Sequence, residues 1–360
     1  MPTDAYQITQ IACGREHILV LLSTGKVMAW GGIGSSRKSG SDPDICATPI
    51  IFNRPIEIQS KHKLQSVSAG SGVNLGLTEN GNVVTWGDSL IGIGGNDTAV
   101  AISAPELIAN LPKAQGIALG EHNFAIVDAL GYVYTWGMNI DGVLGRSSPQ
   151  LNALPGIVPN LPAIQSIVMG QGSVFALSRE KGVFSWGSNS AGQLGLGNLN
   201  SQSKPKPVLG LTKIQSLAAG ATHALALSIH GEVFAWGSNN KGQLGTKMSS
   251  YSNIPIKVPF SEKISAVAAG LHFSLALSES GSVYAWGWNG FGQLGLSDYK
   301  DRTLPTKIKG LAKVRSISAG HTYAVATTSK ELLGWGNNNS GQIGGTAAKV
   351  NSPDSFLSIA

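Results

Sequence analysis

Short stretches in which apolar and polar residues alternate recur along the chain, each too brief to make a helix. Ala224-Leu225-Ala226-Leu227 and Val233-Phe234-Ala235-Trp236 carry the two-residue period of half-buried strands. Glycine-containing pairs such as Thr24-Gly25, Asn80-Gly81, His230-Gly231 and Ser280-Gly281 fall between neighbouring stretches and predict hairpins. One unit reads KIQSLAAG, HALALS, EVFAWG, a loop SNNKGQLG and then about IPIKV, which is four short strands.

The unit repeats. Glycines that close an Ala/Ser-rich strand stand at Gly14, Gly70, Gly120, Gly170, Gly220, Gly270 and Gly320, spaced by 56 and then five times by 50. A Trp-Gly pair follows each, at Trp30, Trp86, Trp136, Trp186, Trp236, Trp286 and Trp335, 16 residues on in six repeats and 15 in the last. The six extra residues of the first repeat fall around SSRKSGSDPD. A period this strict predicts one repeat architecture across residues 1–360, with repeats starting near 8, 64, 114, 164, 214, 264 and 314. A lone four-stranded sheet buries too little to be stable, whereas seven packed radially cover one another. The predicted fold is an all-β, seven-bladed β-propeller of four-stranded blades. The tryptophans are expected between blades. Ring closure is expected by packing of the first blade on the seventh, because the chain runs from a first strand to a fourth.

Composition fits this picture. Of 360 residues 47 are glycine and only 13% are charged, while 42% are hydrophobic, which excludes disorder. Glycine does not fall at every third position, which excludes collagen. Cys13 and Cys46 make no disulfide framework and no metal-ligand spacing. Cys13 occupies a repeat position that elsewhere holds Ala or Leu, so it reads as a small buried residue. The amino terminus lacks a basic, then apolar, leader pattern. The longest apolar run noted, Ile18 to Leu22, is five residues long against the ~20 needed to span a bilayer. A cytosolic or nuclear, monomeric protein is expected, with no membrane attachment legible.

Strand direction separates two faces. Lys63, Lys113, Lys213, Lys263 and Lys313 each stand seven residues before a repeat glycine and should share one rim with the hairpins joining second and third strands. They read either as a solvated rim that protects sheet edges or as a site for an anionic partner. The net charge of +6 and the lack of basic runs with interleaved aromatics speak against nucleic acid. The opposite face should carry the residues just after each glycine and the SNxxGQLG loops. Candidate partner-binding residues there are Glu16, His17, Glu121, His122, Asp141, His223, His272, Phe273, His321 and Tyr323. Trp288 and Phe291 join them from a loop where the fourth and fifth repeats read Ser188-Asn189-Ser190 and Ser238-Asn239-Asn240, either as a hot spot for a protein or as a local cap. One histidine per blade around a ring does not predict a metal site, and no metal or cofactor is expected. The chain has no Walker P-loop, H-E-x-x-H, G-x-S-x-G or Cys-x-x-Cys, so bond-making or bond-breaking chemistry is not expected. Asn96-Asp97-Thr98 and Asn338-Asn339-Ser340 match the glycosylation pattern by chance in this reading.

The pattern A-[AS]-G-x-x-H…A-L…G-x-V-[FY]-x-W-G-x-N-x-x-G-Q-L-G resembles the regulator of chromosome condensation family. GQLG at 192–195, 242–245 and 292–295 and GQIG at 341–344 carry the likeness. The family includes the exchange factor for the small GTPase Ran, a plant ultraviolet photoreceptor, ubiquitin-ligase modules and bacterial effectors. The resemblance implies a small Ras-superfamily GTPase as partner, docked on the Gly-x-x-His face, with Glu121 matching a family acid and His17 and His223 the family histidine. It also implies departures. The fourth repeat has Gln171-Gly172-Ser173 where the family offers an acid, and the loop from Met138 to Leu144 lacks the family's nucleotide-disturbing wedge. No tryptophans cluster at the post-glycine positions, against the photoreceptor reading. A non-enzymatic scaffold with an unrelated partner is the alternative.

Overall fold

Alternation along the strands and turn-forming residues between them produce the predicted unit seven times in the computed structural model. The structure describes residues 7–35, 49–87, 102–148, 152–248, 250–344 and 349–358. The insertion around SSRKSGSDPD and the Asn96 motif lie outside them. Seven four-stranded antiparallel sheets form, each in simple sequence order. In the fifth blade the strands are Ile214–Ala219, His223–Ser228, Val233–Ser238 and Tyr251–Lys257. First strands touch one another around the axis, and Ile8–Cys13 of the first blade meets Ser316–Ala319 of the seventh. No blade is shared between the two ends of the described chain, as the strand order predicts.

Seven hydrophobic clusters lie at the seven blade junctions. Each contains a repeat tryptophan, and all seven tryptophans are buried. The indole of Trp186 donates to Val143 O, that of Trp236 to Gln193 O, that of Trp286 to Gln243 O and that of Trp335 to Gln293 O, at 2.8–2.9 Å. Each therefore binds the loop of the preceding blade. Truncating such a side chain removes a large buried area and costs about 3–5 kcal/mol.

The G-Q-L-G loops are structural for the same reason. Asn189, Asn239, Asn289 and Asn338 are buried. Each accepts, through Oδ1, the backbone N–H of the residue five positions on, at 2.9–3.0 Å. The following glutamines, Gln193, Gln243 and Gln293, accept a backbone N–H two residues earlier. Asn338 of the second glycosylation match thus has its side chain inside the fold.

Every fourth, outermost strand contains a proline: Pro55, Pro105, Pro155, Pro205, Pro255, Pro305 and Pro353. In each case it lies where the pairing register shifts, as between Ala235↔Ile256 and Gly237↔Ser252. Proline lacks an N–H to offer a further strand, so these edges are blunted.

Candidate functional site

First strands run toward one face and end at the repeat glycine, which places three successive residues of each blade at graded depth. The first, immediately after the glycine, rings the axial opening: Arg15, Ser71, Glu121, Gln171, Ala221, Leu271 and His321. Beneath them is a cavity of about 130 Å³ whose wall includes Cys13, Leu119 and Met169. The glycines are required at this approach. A Cβ on Gly70 would stand 3.2 Å from Gly120 O, and one on Gly270 would stand 2.6 Å from Gly320 O and run into the Phe273 ring.

Side chains reach across the opening. Arg15 Nη1 lies 3.8 Å from Glu121 Oε1, and Arg15 Nε lies 4.0 Å from Glu16 Oε1. Gln171 Nε2 lies 3.5 Å from His321 Nε2 on the far side of the ring. Burial lowers the His321 pKa, Arg15 adds to this, and Glu121 and Glu16 oppose it. Ser340 Oγ donates to Glu16 Oε2 at 3.1 Å, tying the seventh blade's loop to the first blade. One half of this opening is thus charged and the other, at Ala221 and Leu271, apolar.

The third residue after each glycine begins the second strand and points inward, and here the structure corrects the sequence reading. His17, His223, Phe273 and Tyr323 are buried. They bind neighbouring blades instead. His17 Nε2 is 2.6 Å from Asn74 Oδ1, and His223 Nε2 is 2.9 Å from Ser274 Oγ. The Tyr323 hydroxyl donates to His17 O at 2.6 Å and to Gly14 O at 3.1 Å, across the junction where the ring closes. Burial pushes the Tyr323 phenol well above its ordinary pKa and holds His17 below its own. The signal was present in the sequence: the same repeat position holds Val73, Phe273 and Tyr323, types that belong inside.

Glu16, Glu121, His122, Asp141, His272, Trp288, Phe291 and His321 remain at least partly accessible on this face. Asp141 lies on the short turn Ile140–Gly142, and the blade-three loop keeps the bonds of the other repeats, Leu144 N to Asn139 Oδ1 at 3.2 Å and Gly145 N to Gly142 O at 2.9 Å. Trp288 packs edge-to-face on Phe291 with ring centroids 5.4 Å apart, and His272 stands 6.2 Å from Trp288 on its other side. The aromatics therefore form a shelf beside Leu271. Among the described residues no group of three or more His, Cys, Asp or Glu could hold a metal ion.

The five lysines occupy the opposite rim. All are exposed, and the second–third strand turns sit on them: Leu64 N, Ala114 N and Ile264 N donate to Gly25 O, Gly81 O and Gly231 O. Lys63 pairs with Glu79 at 2.6 Å and Lys113 donates to Asn82 Oδ1 at 2.6 Å. They are spread around the ring and converge on no single point.

Comparison with known proteins agrees with this geometry. The RCC1-like domain profile matches residues 89–359 and the RCC1 repeat matches residues 8–35. The X-linked retinitis pigmentosa GTPase regulator of Canis lupus familiaris is 33% identical over 97 residues, which is 27% of this chain and 9% of that protein's length. The crystal structure of Prp20p from Saccharomyces cerevisiae, described with its binding to Gsp1p and histones, superposes with a TM-score of 0.77 at 25% identity over 89% of this chain and 82% of Prp20p. Human WBSCR16 shares the fold with a TM-score of 0.78 at 24% identity, over 92% of this chain and 94% of its own. With the domain profile spanning the third to seventh blades and the outer strand of the second, about three quarters of the chain, and the repeat profile meeting the first, the chain belongs to the RCC1-like domain family.

Proposed function

We propose that this propeller is a protein-interaction module whose Gly-x-x-His face docks a small Ras-superfamily GTPase. The observation that carries the reading is the likeness to Prp20p, a protein characterised for binding Gsp1p, over most of both chains. The charged half of the opening supports it. The Arg15–Glu121 pair is partly accessible, so a partner can exchange it for its own charges without leaving either group buried and unpaired. The GTPase regulator among the relatives points to the same partner class.

Docking and nucleotide exchange are separate claims. Exchange needs contacts that lower nucleotide affinity by remodelling the phosphate and Mg²⁺ surroundings. The short turn at Ile140–Gly142 offers no projecting element for that. The reading is therefore docking, with slow or no acceleration of nucleotide release. Immobilised protein should retain one member of a panel of Ras-superfamily GTPases, Ran included, and Glu121→Ala should weaken that retention about tenfold. Fluorescent-nucleotide release reports exchange separately. Retention of no GTPase in any nucleotide state would remove the proposal.

A second reading rests on the His272–Trp288–Phe291 shelf. Aromatics that the repeat does not need, beside an apolar stretch of the opening, suit a protein scaffold with a different partner. Under that reading Trp288→Ala abolishes partner binding while Glu121→Ala leaves it unchanged.

A further inference from the structure

The lysine face departs from its own repeat on one side only. Its loop tips are joined by backbone hydrogen bonds: Ile164 N donates to Gly131 O (3.0 Å), Arg179 N to Ala163 O (2.9 Å), Ile214 N to Lys181 O (3.4 Å) and Ile229 N to Lys213 O (2.9 Å). A continuous arc therefore runs from the 129–132 turn, through the 159–163 link and the 179–182 turn, to the 209–213 link and the 229–232 turn.

Apolar side chains stand on the tips of this arc. Leu130 is 70% exposed and Leu209 78%, with Tyr132, Ile157 and Ile229 each about half exposed. Leu107 of the adjoining second blade, which matches Ile157, is half exposed as well, while several of the same positions elsewhere on the rim are polar. The sites of Tyr132 and Ile157 hold the ion pair Lys26–Glu57 in the first blade and Glu232–Lys257 in the fifth. Leu130 replaces Asn80 or Ser280, Leu209 replaces Lys309, and Ala163 stands where five other blades carry the rim lysine. The Leu130 tip is held by its own turn, where Asp128 Oδ1 accepts both Leu130 N and Tyr132 N at 2.9 Å, and the Leu209 tip stands in open space, where a Cβ on the neighbouring Gly210 would meet nothing within 4 Å. Between them the arc carries Arg179, Lys181 and Lys213 against two acids, Glu180 and Glu232, of which Glu232 is paired with Lys257 at 2.6 Å.

We propose that this arc docks the propeller on an anionic lipid bilayer, with Leu130 and Leu209 entering the headgroup boundary and Lys181 and Lys213 facing lipid phosphates. Charge complementarity and the form of the apolar surface favour a bilayer. The apolar groups are separate tips interleaved with cations on a flat rim, and the axial cavity opens at the other face. A fluid surface conforms to isolated tips, and one weak apolar anchor plus basic groups makes a reversible two-part signal.

Sedimentation with sucrose-loaded vesicles tests this. The protein is expected to bind phosphatidylcholine vesicles containing about 30% phosphatidylserine and not pure phosphatidylcholine. Binding should fall steeply between roughly 0.05 M and 0.5 M salt as the Debye length shrinks. The double variant Leu130→Glu, Leu209→Glu should bind at least about tenfold more weakly, since each tip loses its insertion. Lys181→Gln with Lys213→Gln should lose roughly tenfold and flatten the salt dependence. Leu130, Leu209 and Lys213 are exposed and Lys181 is partly so, bonded only to Gln165 through its side chain, so thermal melts should match the parent and exclude misfolding as the cause. Failure to bind phosphatidylserine vesicles at low salt, or equal binding by parent and Leu130→Glu, Leu209→Glu, overturns the proposal and leaves the arc to a protein partner.

Discussion

His223 makes the fold sensitive to acid in a way that can be calculated. Ser274 Oγ donates to Gln243 O at 2.8 Å, so it accepts from His223 Nε2–H, and Nδ1 is buried with no acceptor. Protonating Nδ1 would strand a charged N–H in the core, and burial, helped by nearby His272, lowers the pKa from 6.5 to about 3. The folded state thus binds fewer protons than the unfolded state below pH 6.5. Stability from this residue is present above that pH and is lost as pH falls toward 3, at about 1.4 kcal/mol per unit. Between pH 7 and pH 5 the loss is about 2 kcal/mol. His223→Asn removes the titrating group while keeping a side chain already found at this repeat position, Asn123 in the third blade. At pH 7 the variant should be about 1–2 kcal/mol less stable, reflecting one altered buried hydrogen bond and a changed volume. At pH 5 that gap should close or reverse, because only the parent loses His223's share. Urea unfolding followed by tryptophan fluorescence at both pH values measures it. A parent–variant difference that stays constant to within about 0.5 kcal/mol would refute the reasoning.

Other expectations follow from single contacts. Tyr323→Phe reproduces at the closing junction the side chain that Phe273 places in the sixth blade, so it should cost only the hydroxyl's bonds, about 1–2 kcal/mol, whereas Tyr323→Ala should cost about 3–5 kcal/mol; equal melting shifts for the two would show that the hydrogen bonds to His17 and Gly14 are not what closes the ring. Gly270→Ala sets a methyl 2.6 Å from Gly320 O and should destabilise by about 2 kcal/mol or more, read from the same urea curves, with an unchanged midpoint contradicting the packing described. Cys13 is partly buried in the wall of the axial cavity and its thiol is pushed up to about 12, so in a Cys46→Ser background iodoacetamide at pH 8 should modify the native protein far more slowly than the unfolded chain. Rapid labelling of the native protein would place that thiol in a more polar setting than the wall between Ser318 and Tyr323.

The repeat period is legible because each blade needs the same repeat glycine and the same junction tryptophan, and the fourth to seventh add the same buried Asn and Gln in the loop. What could not be read from types alone was depth. His17 and His223 look like surface chemistry until they are set beside Val73 and Phe273 at the same repeat position, where the apolar members reveal an inward direction. Glu121 and His321 sit two residues earlier, before the second strand begins, and therefore stay accessible. Cross-ring contacts such as Arg15 with Glu121 join residues 106 apart in sequence, and no local pattern announces them. No sequence pattern marks the apolar arc, because Leu130 and Leu209 are ordinary residues made unusual only by exposure.

Closure of the ring without a shared blade has a consequence for how such a molecule changes over generations. Because one sequence repeat is one complete sheet, duplication or deletion of a repeat at the genetic level adds or removes a finished building block and strands no half-sheet elsewhere. The junction between seventh and first blades is chemically one more junction, with its own core around Trp30 and Tyr323. New specificity can therefore arise by altering the tips of a single blade, as the third already illustrates, while the other six go on supplying the frame.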